Sequence, residues 1–253
     1  KSSLKLSDYT ITEAGFGSDM GGIKFFDIKC RGNNINPYCV LLVATIRALK
    51  YNGNNLLKDG LCNLGVHIEN LSKFNQNVIV VLNKFPDDTT DDINIVHEYV
   101  NSFNIPFTVS TAYIDGENGA SEVVKEVIKC EDKKLNLLYK LNDKLEDKID
   151  IMCKSICRCN KIEYSEITKE KIKRYSNIEY PICIAKTQYS ISDDAKKLGA
   201  PSNYTLTVRD IKVNNGAKFI TVYLGNILTM PGLSKHPNAC NIDLVNDEIV
   251  GIF

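Results

Sequence analysis

Apolar runs separated by helical patterns organise the first half of the chain. The runs do not alternate with polar residues, so they predict strands that are buried on both faces of a sheet. Between them, apolar residues recur at the spacing of amphipathic helices. Strands that alternate with helices predict right-handed crossovers and a mostly parallel α/β sheet with flanking helices. The predicted strands are residues 39–46, 78–83 and 105–110, and the predicted helices are residues 56–74, a stretch starting at Thr89, and residues 121–129.

The second half begins after a polar break at residues 129–134. Apolar residues then recur at helical spacing over residues 141–156, which predicts one long helix. Strand patterns return in three later segments. In the second of these, Leu206 and Val208 share one parity but Ile211 does not, which predicts a β-bulge or a bend. The three strands are residues 182–186, 204–213 and 218–224, and the predicted units are an α/β domain over 1–133 and a smaller α+β subdomain over 134–253.

Composition excludes several classes of function. Lys plus Arg and Asp plus Glu both number 31 in the 253 residues, so the formal net charge is zero. A nucleic-acid partner recruited by bulk positive charge is therefore not expected. No apolar run reaches the roughly 18–20 residues that span a bilayer, so no membrane partner is expected. The N-terminus also lacks the apolar core of a signal peptide.

The nine cysteines are odd in number and scattered, unlike a secreted disulfide framework. We interpret them as reduced thiols of a cytoplasmic chain. Cys153, Cys157 and Cys159 form the one cluster, and no second set of ligands at metal spacing follows it. We interpret these three as small apolar residues and predict no metal site. The histidines are likewise not expected to be catalytic, because none has a partner at suitable spacing.

A glycine-rich segment, TEAGFGSDMGGIKFFDIKCR at residues 12–31, has the strongest functional signal. A predicted strand at residues 9–12 leads into glycines that surround a lone aromatic residue, Phe16. Glycines at this density let a backbone turn tightly and approach a ligand closely. Loops after strands are the places where open α/β sheets bind ligands. A ring in such a loop is either packed into the core or offered to a flat ligand.

This segment and six others resemble the formate–tetrahydrofolate ligase (10-formyltetrahydrofolate synthetase) family. Seven blocks in the family's order, over nearly the whole chain, are far more specific than any single motif. The resemblance implies a P-loop-NTPase-like sheet in the α/β domain, which would carry nucleotide and folate. The six further blocks are VATIRALK (43–50), NLGVHIEN (63–70), NKFPDDT (83–89), AKTQYSISDD (185–194), TMPGL (229–233) and the C-terminal GIF.

The resemblance implies a pterin pocket. Phe16 matches the ring that stacks on one face of the pterin, and Tyr113 matches the ring on the other face, where the family commonly has Trp. Phe85 and Pro86 match the pair that lines the pocket, and Val109 matches a wall position. Two alternatives compete with this interpretation. Asn83–Asp87 superficially resembles the N-K-x-D motif of GTPases, although one residue too long, and the two rings could belong to the core.

Two further blocks have weaker implications. The resemblance assigns one side of the adenine site to Met230, Pro231, Gly232 and Leu233. The sequence departs from the family's pattern just downstream, over residues 234–240. In the other block, residues 185–194, Lys186 and the pair Asp193–Asp194 are either site residues or part of a solvated loop with capping residues.

The implied reaction joins formate to tetrahydrofolate through formyl phosphate, with ATP and Mg²⁺, in a homo-oligomer, and a monovalent cation is a further candidate cofactor. The family also carries a phosphate-cradling G-x-x-x-x-G-K-[ST] motif, and no such string occurs here. We therefore expect this chain to be the C-terminal portion of a longer ligase, inactive by itself, and assign no catalytic residue. Two alternatives remain open: a non-catalytic pterin- or nucleotide-binding remnant, and one chain of a split enzyme.

Overall fold

A computed structural model of the chain describes residues 1–225, 227, 234–245 and 248–251. The residues predicted to line the adenine site, Met230, Pro231, Gly232 and Leu233, lie outside these ranges. In the described residues, no helix combines the length and the apolar character that crossing a membrane requires.

A three-stranded parallel sheet in the order β1-β2-β3 organises the first half, as the alternating pattern predicts. The central strand is buried along nearly its whole length, which explains its unbroken apolar run. The strands are β1 (Val40–Ala44), β2 (Val78–Asn83) and β3 (Phe107–Ser110). The helices are α1 (Ser3–Leu6), α2 (Arg31–Asn33), α3 (Ile46–Asn52), α4 (Leu57–Ser72), α5 (Thr90–Asn101), α6 (Ala112–Asp115) and α7 (Ser121–Ile128), with π-helical segments at Ser18–Gly22 and Phe25–Cys30 and a 3-10 turn at Gly116–Ala120.

The strand predicted at residues 9–12 does not form, and this prediction was wrong. The segment has no regular secondary structure, and Ile11 is 90% exposed. A β-branched run becomes a strand when a neighbouring strand accepts its backbone hydrogen bonds, and no strand in the described part of the chain pairs with this segment. The glycine-rich segment therefore follows an irregular stretch, and its ordered part begins with the π-helical turn Ser18–Gly22.

A mixed four-stranded sheet in the order β4-β6-β7-β5 organises the second half. Its central pair, β6 and β7, is antiparallel, and its register shifts between Val208 and Asp210, which confirms the predicted bulge. Sequence patterns missed β4, a four-residue strand. The elements are α8 (Leu145–Ile156), β4 (Lys161–Tyr164), α9 (Glu166–Arg174), β5 (Ile182–Ala185), β6 (Thr205–Asn214), β7 (Phe219–Leu224), a 3-10 turn at Asn238–Cys240, β8 (Asp243–Val245) and β9 (Glu248–Val250).

One hydrophobic core joins the two sheets. Phe26 and Phe74, from the first half, have ring centroids 4.9 Å apart and lie in the same cluster as Ile149 and Met152 of α8. The division at 133/134 stays a prediction, but it does not separate two independent cores. The two halves are expected to unfold together because they share this buried apolar surface.

Helices α3 and α4 touch through a glycine. A Cβ atom at Gly60 would lie 1.8 Å from the carbonyl oxygen of Leu49, far inside van der Waals contact. The obstacle is backbone, so it cannot move aside as a side chain would. Gly60 therefore permits the close crossing of α4 over the backbone of α3.

We expect Gly60→Ala to destabilise the chain by about 1–3 kcal/mol, the usual cost of overpacking. The matched control is Gly32→Ala, since Gly32 lies in α2 and a Cβ there meets no atom within 4 Å. The control should be neutral or slightly stabilising, because alanine favours a helix. Urea unfolding of both variants measures the difference, and equal stabilities would contradict the close crossing.

Candidate functional site

The carboxyl ends of the three parallel strands meet at one edge of the first sheet. Leu82 of β2 is in register with Ala44 of β1 on one side and with Val109 of β3 on the other. Each of the three strands ends at this register position or one residue beyond it. Open parallel sheets bind ligands outside the carboxyl ends of their strands, so this edge is the first candidate site.

A closed turn holds Phe85 and Pro86 just beyond the end of β2. The Phe85 backbone N–H donates to Oδ2 of Asp88 at 2.8 Å, and the Asp88 N–H donates to the Phe85 carbonyl at 3.1 Å. The next residue, Thr89, caps α5 by accepting a hydrogen bond from the backbone N–H of Asp92 at 3.1 Å. The turn is therefore fixed at both of its ends, and Phe85 is half-buried within it.

Arg47 joins this edge, and sequence analysis did not single it out. Thr45 caps α3, which puts Arg47 in the first turn of the helix that follows β1. Its guanidinium lies 5.1 Å from the centre of the Phe85 ring, a cation–π distance. The available signal was position: Arg47 comes directly after the predicted buried strand at residues 39–46.

Val109 and Tyr113 lie at the end of β3. Val109 is half-buried within the strand, and Tyr113 lies in the short helix α6 with its side chain 85% exposed. The Thr111 N–H donates to the Gly119 carbonyl at 3.1 Å, which folds the segment back against the sheet edge. The structure thus brings four of the predicted pterin residues, Phe85, Pro86, Val109 and Tyr113, to one edge.

Phe16 approaches from the glycine-rich segment, which runs alongside α4. Ser18 contacts His67, and further along the same direction Phe26 packs on Phe74. Phe16 directly precedes Gly17, which packs against His67 of α4, and the Gly15 carbonyl on its other side lies against Gly21. Its φ is 66°, in the left-handed region that costs a non-glycine residue about 1–3 kcal/mol. Its ring is 73% exposed, so it is not part of the core of this chain.

A buried polar cluster lies beneath the Phe16 loop. The Ser18 hydroxyl and Nδ1 of His67 are 2.7 Å apart, and Nζ of Lys186 is 2.5 Å from Oδ2 of Asp19. Oδ1 of Asp19 lies 3.9 Å from Nδ1 of His67. Burial lowers the pKa of His67, partly opposed by the Asp19 carboxylate, so the imidazole is neutral near pH 7.

Lys186 is buried, so its block is not a solvated loop. Its side chain is fully inaccessible, because β5 ends at Ala185 and directs the next residue inward. Asp193 accepts a hydrogen bond from the Thr207 N–H at 3.1 Å, and Asp194 accepts one from the Lys196 N–H at 3.0 Å. The two aspartates therefore stabilise the chain locally, whereas Lys186 reaches a different part of the molecule.

The three clustered cysteines are buried on and just after α8. Burial raises the pKa of Cys157 to about 12 and that of Cys159 to about 11, so both are protonated thiols. A protonated thiol is a poor metal ligand, because the thiolate is the form that binds metal. All nine cysteines are free, in agreement with the predicted absence of disulfides. Among the described residues, no group of His, Cys, Asp and Glu has the arrangement of a metal site.

The second candidate site is a groove on the four-stranded sheet, between α9 and strands β6 and β7. It has a volume of about 650 Å³ and includes Tyr223, Gly225 and Ile227, which directly precede the predicted adenine-site segment. Its wall contains the ion pair between Lys171 and Asp210, whose Nζ and Oδ1 atoms are 2.6 Å apart.

Comparison with known proteins identifies the family. A sequence model of formate–tetrahydrofolate ligase matches residues 1–253. A curated formate–tetrahydrofolate ligase from Petrotoga mobilis is 46% identical over 263 residues, covering 98% of this chain and 48% of the relative. One from Campylobacter concisus is 45% identical over 261 residues, covering 96% of this chain and 48% of the relative. The chain therefore spans about half the length of these relatives, and it belongs to the formate–tetrahydrofolate ligase family.

Proposed function

We propose that this chain supplies the tetrahydrofolate pocket and one side of the adenine site of an ATP-dependent formate–tetrahydrofolate ligase. The observation that carries the proposal is the carboxyl edge of the first sheet. Four residues that match the family's pterin positions meet there, and we propose that Phe16 completes the pocket from the glycine-rich loop. The exposure of Tyr113 and Phe16 leaves two aromatic faces accessible to a flat ligand.

The ligase would make 10-formyltetrahydrofolate through formyl phosphate. Formate is a poor acylating agent because its oxygen leaves badly, and phosphorylation by ATP makes that oxygen a good leaving group. Phosphoryl transfer depends on positioning and on charge neutralisation by Mg²⁺ and cationic side chains. We propose that this chain orients N10 of the folate toward the activated formyl group, since its part of the reaction is positioning rather than proton transfer.

Pterin binding at this edge would rest on three contacts. Phe16 and Tyr113 would stack on the two faces of the ring, each contributing roughly 1–3 kcal/mol by analogy with base–aromatic stacking. Phe85, held by its closed turn and by Arg47, would form the floor between them. Val109 would close the wall at the end of β3.

We propose that adenine binds beside the second sheet. The groove includes Gly225 and Ile227. In the sequence, the predicted adenine-site residues begin three positions after Ile227 and are Met230, Pro231, Gly232 and Leu233. Proximity in sequence to this groove supports the assignment. The family resemblance further adds a monovalent cation as a candidate cofactor, a homo-oligomeric assembly, a P-loop-NTPase-like fold and a cytoplasmic location.

Ligand binding by the chain itself tests the proposal. We expect tetrahydrofolate to bind more tightly than p-aminobenzoylglutamate, which has the folate tail and no pterin. Loss of stacking worth roughly 1–3 kcal/mol per ring corresponds to at least about tenfold in affinity. Isothermal titration calorimetry with the two compounds measures the difference, and equal affinities would contradict a pterin pocket.

An assay of product formation by the complete protein distinguishes the ligase from a non-catalytic binding remnant. The complete protein should form 10-formyltetrahydrofolate only when formate, ATP and Mg²⁺ are all present. Binding of tetrahydrofolate without product formation by the complete protein would support a non-catalytic remnant. Product formed only after a second polypeptide is added would support a split enzyme.

A further inference from the structure

Three charged or titratable side chains from separate parts of the chain meet beneath the Phe16 loop. Asp19 comes from the π-helical turn, His67 from α4, and Lys186 from the residue after β5. The Lys186 side chain is fully buried and that of Asp19 is 6% exposed, with their charged atoms 2.5 Å apart. An ion pair this deep is expensive to desolvate, and removing either partner would leave an uncompensated buried charge.

The ion pair joins the glycine-rich segment to the second sheet. Lys186 also donates to the backbone carbonyls of Thr187 and Ser190, so the loop after β5 is folded around the ammonium group. The Ser190 hydroxyl in turn contacts that of Ser192 at 2.9 Å. Asp19 is thus attached to a rigid element of the second sheet, although it belongs to the first half of the chain.

The cluster touches the backbone next to Phe16. A Cβ atom at Gly17 would lie 2.4 Å from Oδ1 of Asp19 and 3.2 Å from Cε1 of His67, so both side chains pack directly on that glycine. On the other side, a Cβ atom at Gly21 would lie 1.8 Å from the Gly15 carbonyl oxygen. Both neighbours of Phe16 are therefore held, while its ring extends outward.

We propose that Asp19, His67 and Lys186 are positioning residues that hold the Phe16 ring in its pterin-stacking orientation and connect it to the second sheet. The inference rests on the proposed folate pocket. A ring on an unrestrained loop would lose conformational freedom on binding, whereas a ring held in advance does not. The neutral His67 accepts or donates one hydrogen bond with Ser18, which fixes the start of the turn.

A fluorescent reporter tests the positioning directly in this chain. The chain contains no Trp, so Phe16→Trp introduces a single tryptophan at the tip of the loop. We expect Lys186→Met in this background to lower the tryptophan fluorescence anisotropy, because the loop loses its anchor. Lys148→Met is the matched control, since Lys148 is also fully buried but donates to the carbonyls of Ile178 and Tyr180, away from the loop.

The control variant, compared under conditions where it is folded, should leave the anisotropy unchanged. Equal anisotropy in the two lysine variants would overturn the proposal. Lys186→Met leaves the Asp19 carboxylate buried without its partner and could prevent folding. The double variant Asp19→Asn/Lys186→Met removes both charges, and it should fold and still show the lowered anisotropy. A folded double variant with the parental anisotropy would also overturn the proposal.

Steady-state kinetics of the complete ligase provide the second test. We expect Lys186→Met to raise the KM for tetrahydrofolate about 3–30-fold with little change in the KM for ATP, taking roughly 0.6–2 kcal/mol for lost preorganisation. Combined with Phe16→Ala, the folate effect of Lys186→Met should largely vanish, because it acts through that ring. Additive effects would contradict this inference, whereas an unchanged folate KM in Phe16→Ala alone would contradict the folate pocket itself.

Discussion

Replacing Phe16 by alanine in the complete ligase is expected to weaken the use of tetrahydrofolate about 5–100-fold, with half-saturation for ATP much less affected. The range follows from roughly 1–3 kcal/mol of stacking per ring, at about 1.4 kcal/mol for each factor of ten. The ring is 73% exposed, so its removal leaves no core cavity and should change the melting temperature little. Tyr113→Ala should act in the same direction.

A matched control distinguishes a ligand-stacking ring from a core ring. Phe26 lies ten residues further along the chain, is 2% exposed and packs on Phe74. Phe26→Ala should cost about 3–5 kcal/mol, lower the melting temperature by several degrees and affect both substrates alike. Saturation curves for folate and ATP, measured together with thermal melts, show whether each ring stacks on the ligand or belongs to the core. An unchanged folate response in a well-folded Phe16→Ala protein would remove this ring from the pocket.

The second large effect is expected at Asp27, where stability should fall as pH rises. Asp27 is completely buried, and burial raises the pKa of its carboxyl from 3.8 to about 6, although Arg31 at 3.1 Å opposes the shift. Its Oδ2 atom has no hydrogen-bond partner. Arg31 also donates to the Tyr139 carbonyl at 3.0 Å, so the cation is shared between the two acceptors.

The sign follows from proton binding. Between pH 3.8 and about 6 the native carboxyl keeps its proton while the unfolded one loses it, so the free energy of unfolding decreases with pH in this window. A shift of about two units corresponds to about 3 kcal/mol. Asp27→Asn resembles the protonated carboxyl and removes the effect. The stability of the parent relative to this variant should therefore drop by up to about 3 kcal/mol from pH 4 to pH 7.

Urea unfolding at the two pH values measures this difference. The matched control is Asp150→Asn, because Asp150 pairs with Lys154 at the same four-residue spacing but on the surface. In the control, the stability difference from the parent should be similar at both pH values. A stability difference for Asp27→Asn that stays constant from pH 4 to pH 7 would show that Asp27 does not titrate in this window.

Local patterns were sufficient for elements whose burial does not depend on distant partners. The uninterrupted run at residues 78–83 predicted β2 with its observed bounds, since only a strand covered on both faces has such a run. The parity change between Val208 and Ile211 located the bulge in β6. The order of seven motif blocks identified the family, because sequence similarity requires no knowledge of contacts.

Other features depended on partners far along the chain. Residues 9–12 have the composition of a strand but pair with none of the described strands. Lys186 lies in a polar sequence block, and its burial became evident only from its contact with Asp19. Arg47 and Phe85 are separated by a helix pair and a strand, yet they lie within cation–π distance.

The sequence by itself determined the family and the parallel first sheet, and it supplied the residues that we propose for a pterin pocket. Tertiary structure alone decided that Phe85, Val109 and Tyr113 share one edge, and that a buried ion pair lies beneath Phe16. The physical reason is that strand burial and capping are short-range properties of the chain. Pairing of charges and rings depends instead on how β-strands in two sheets and the helices between them pack in space.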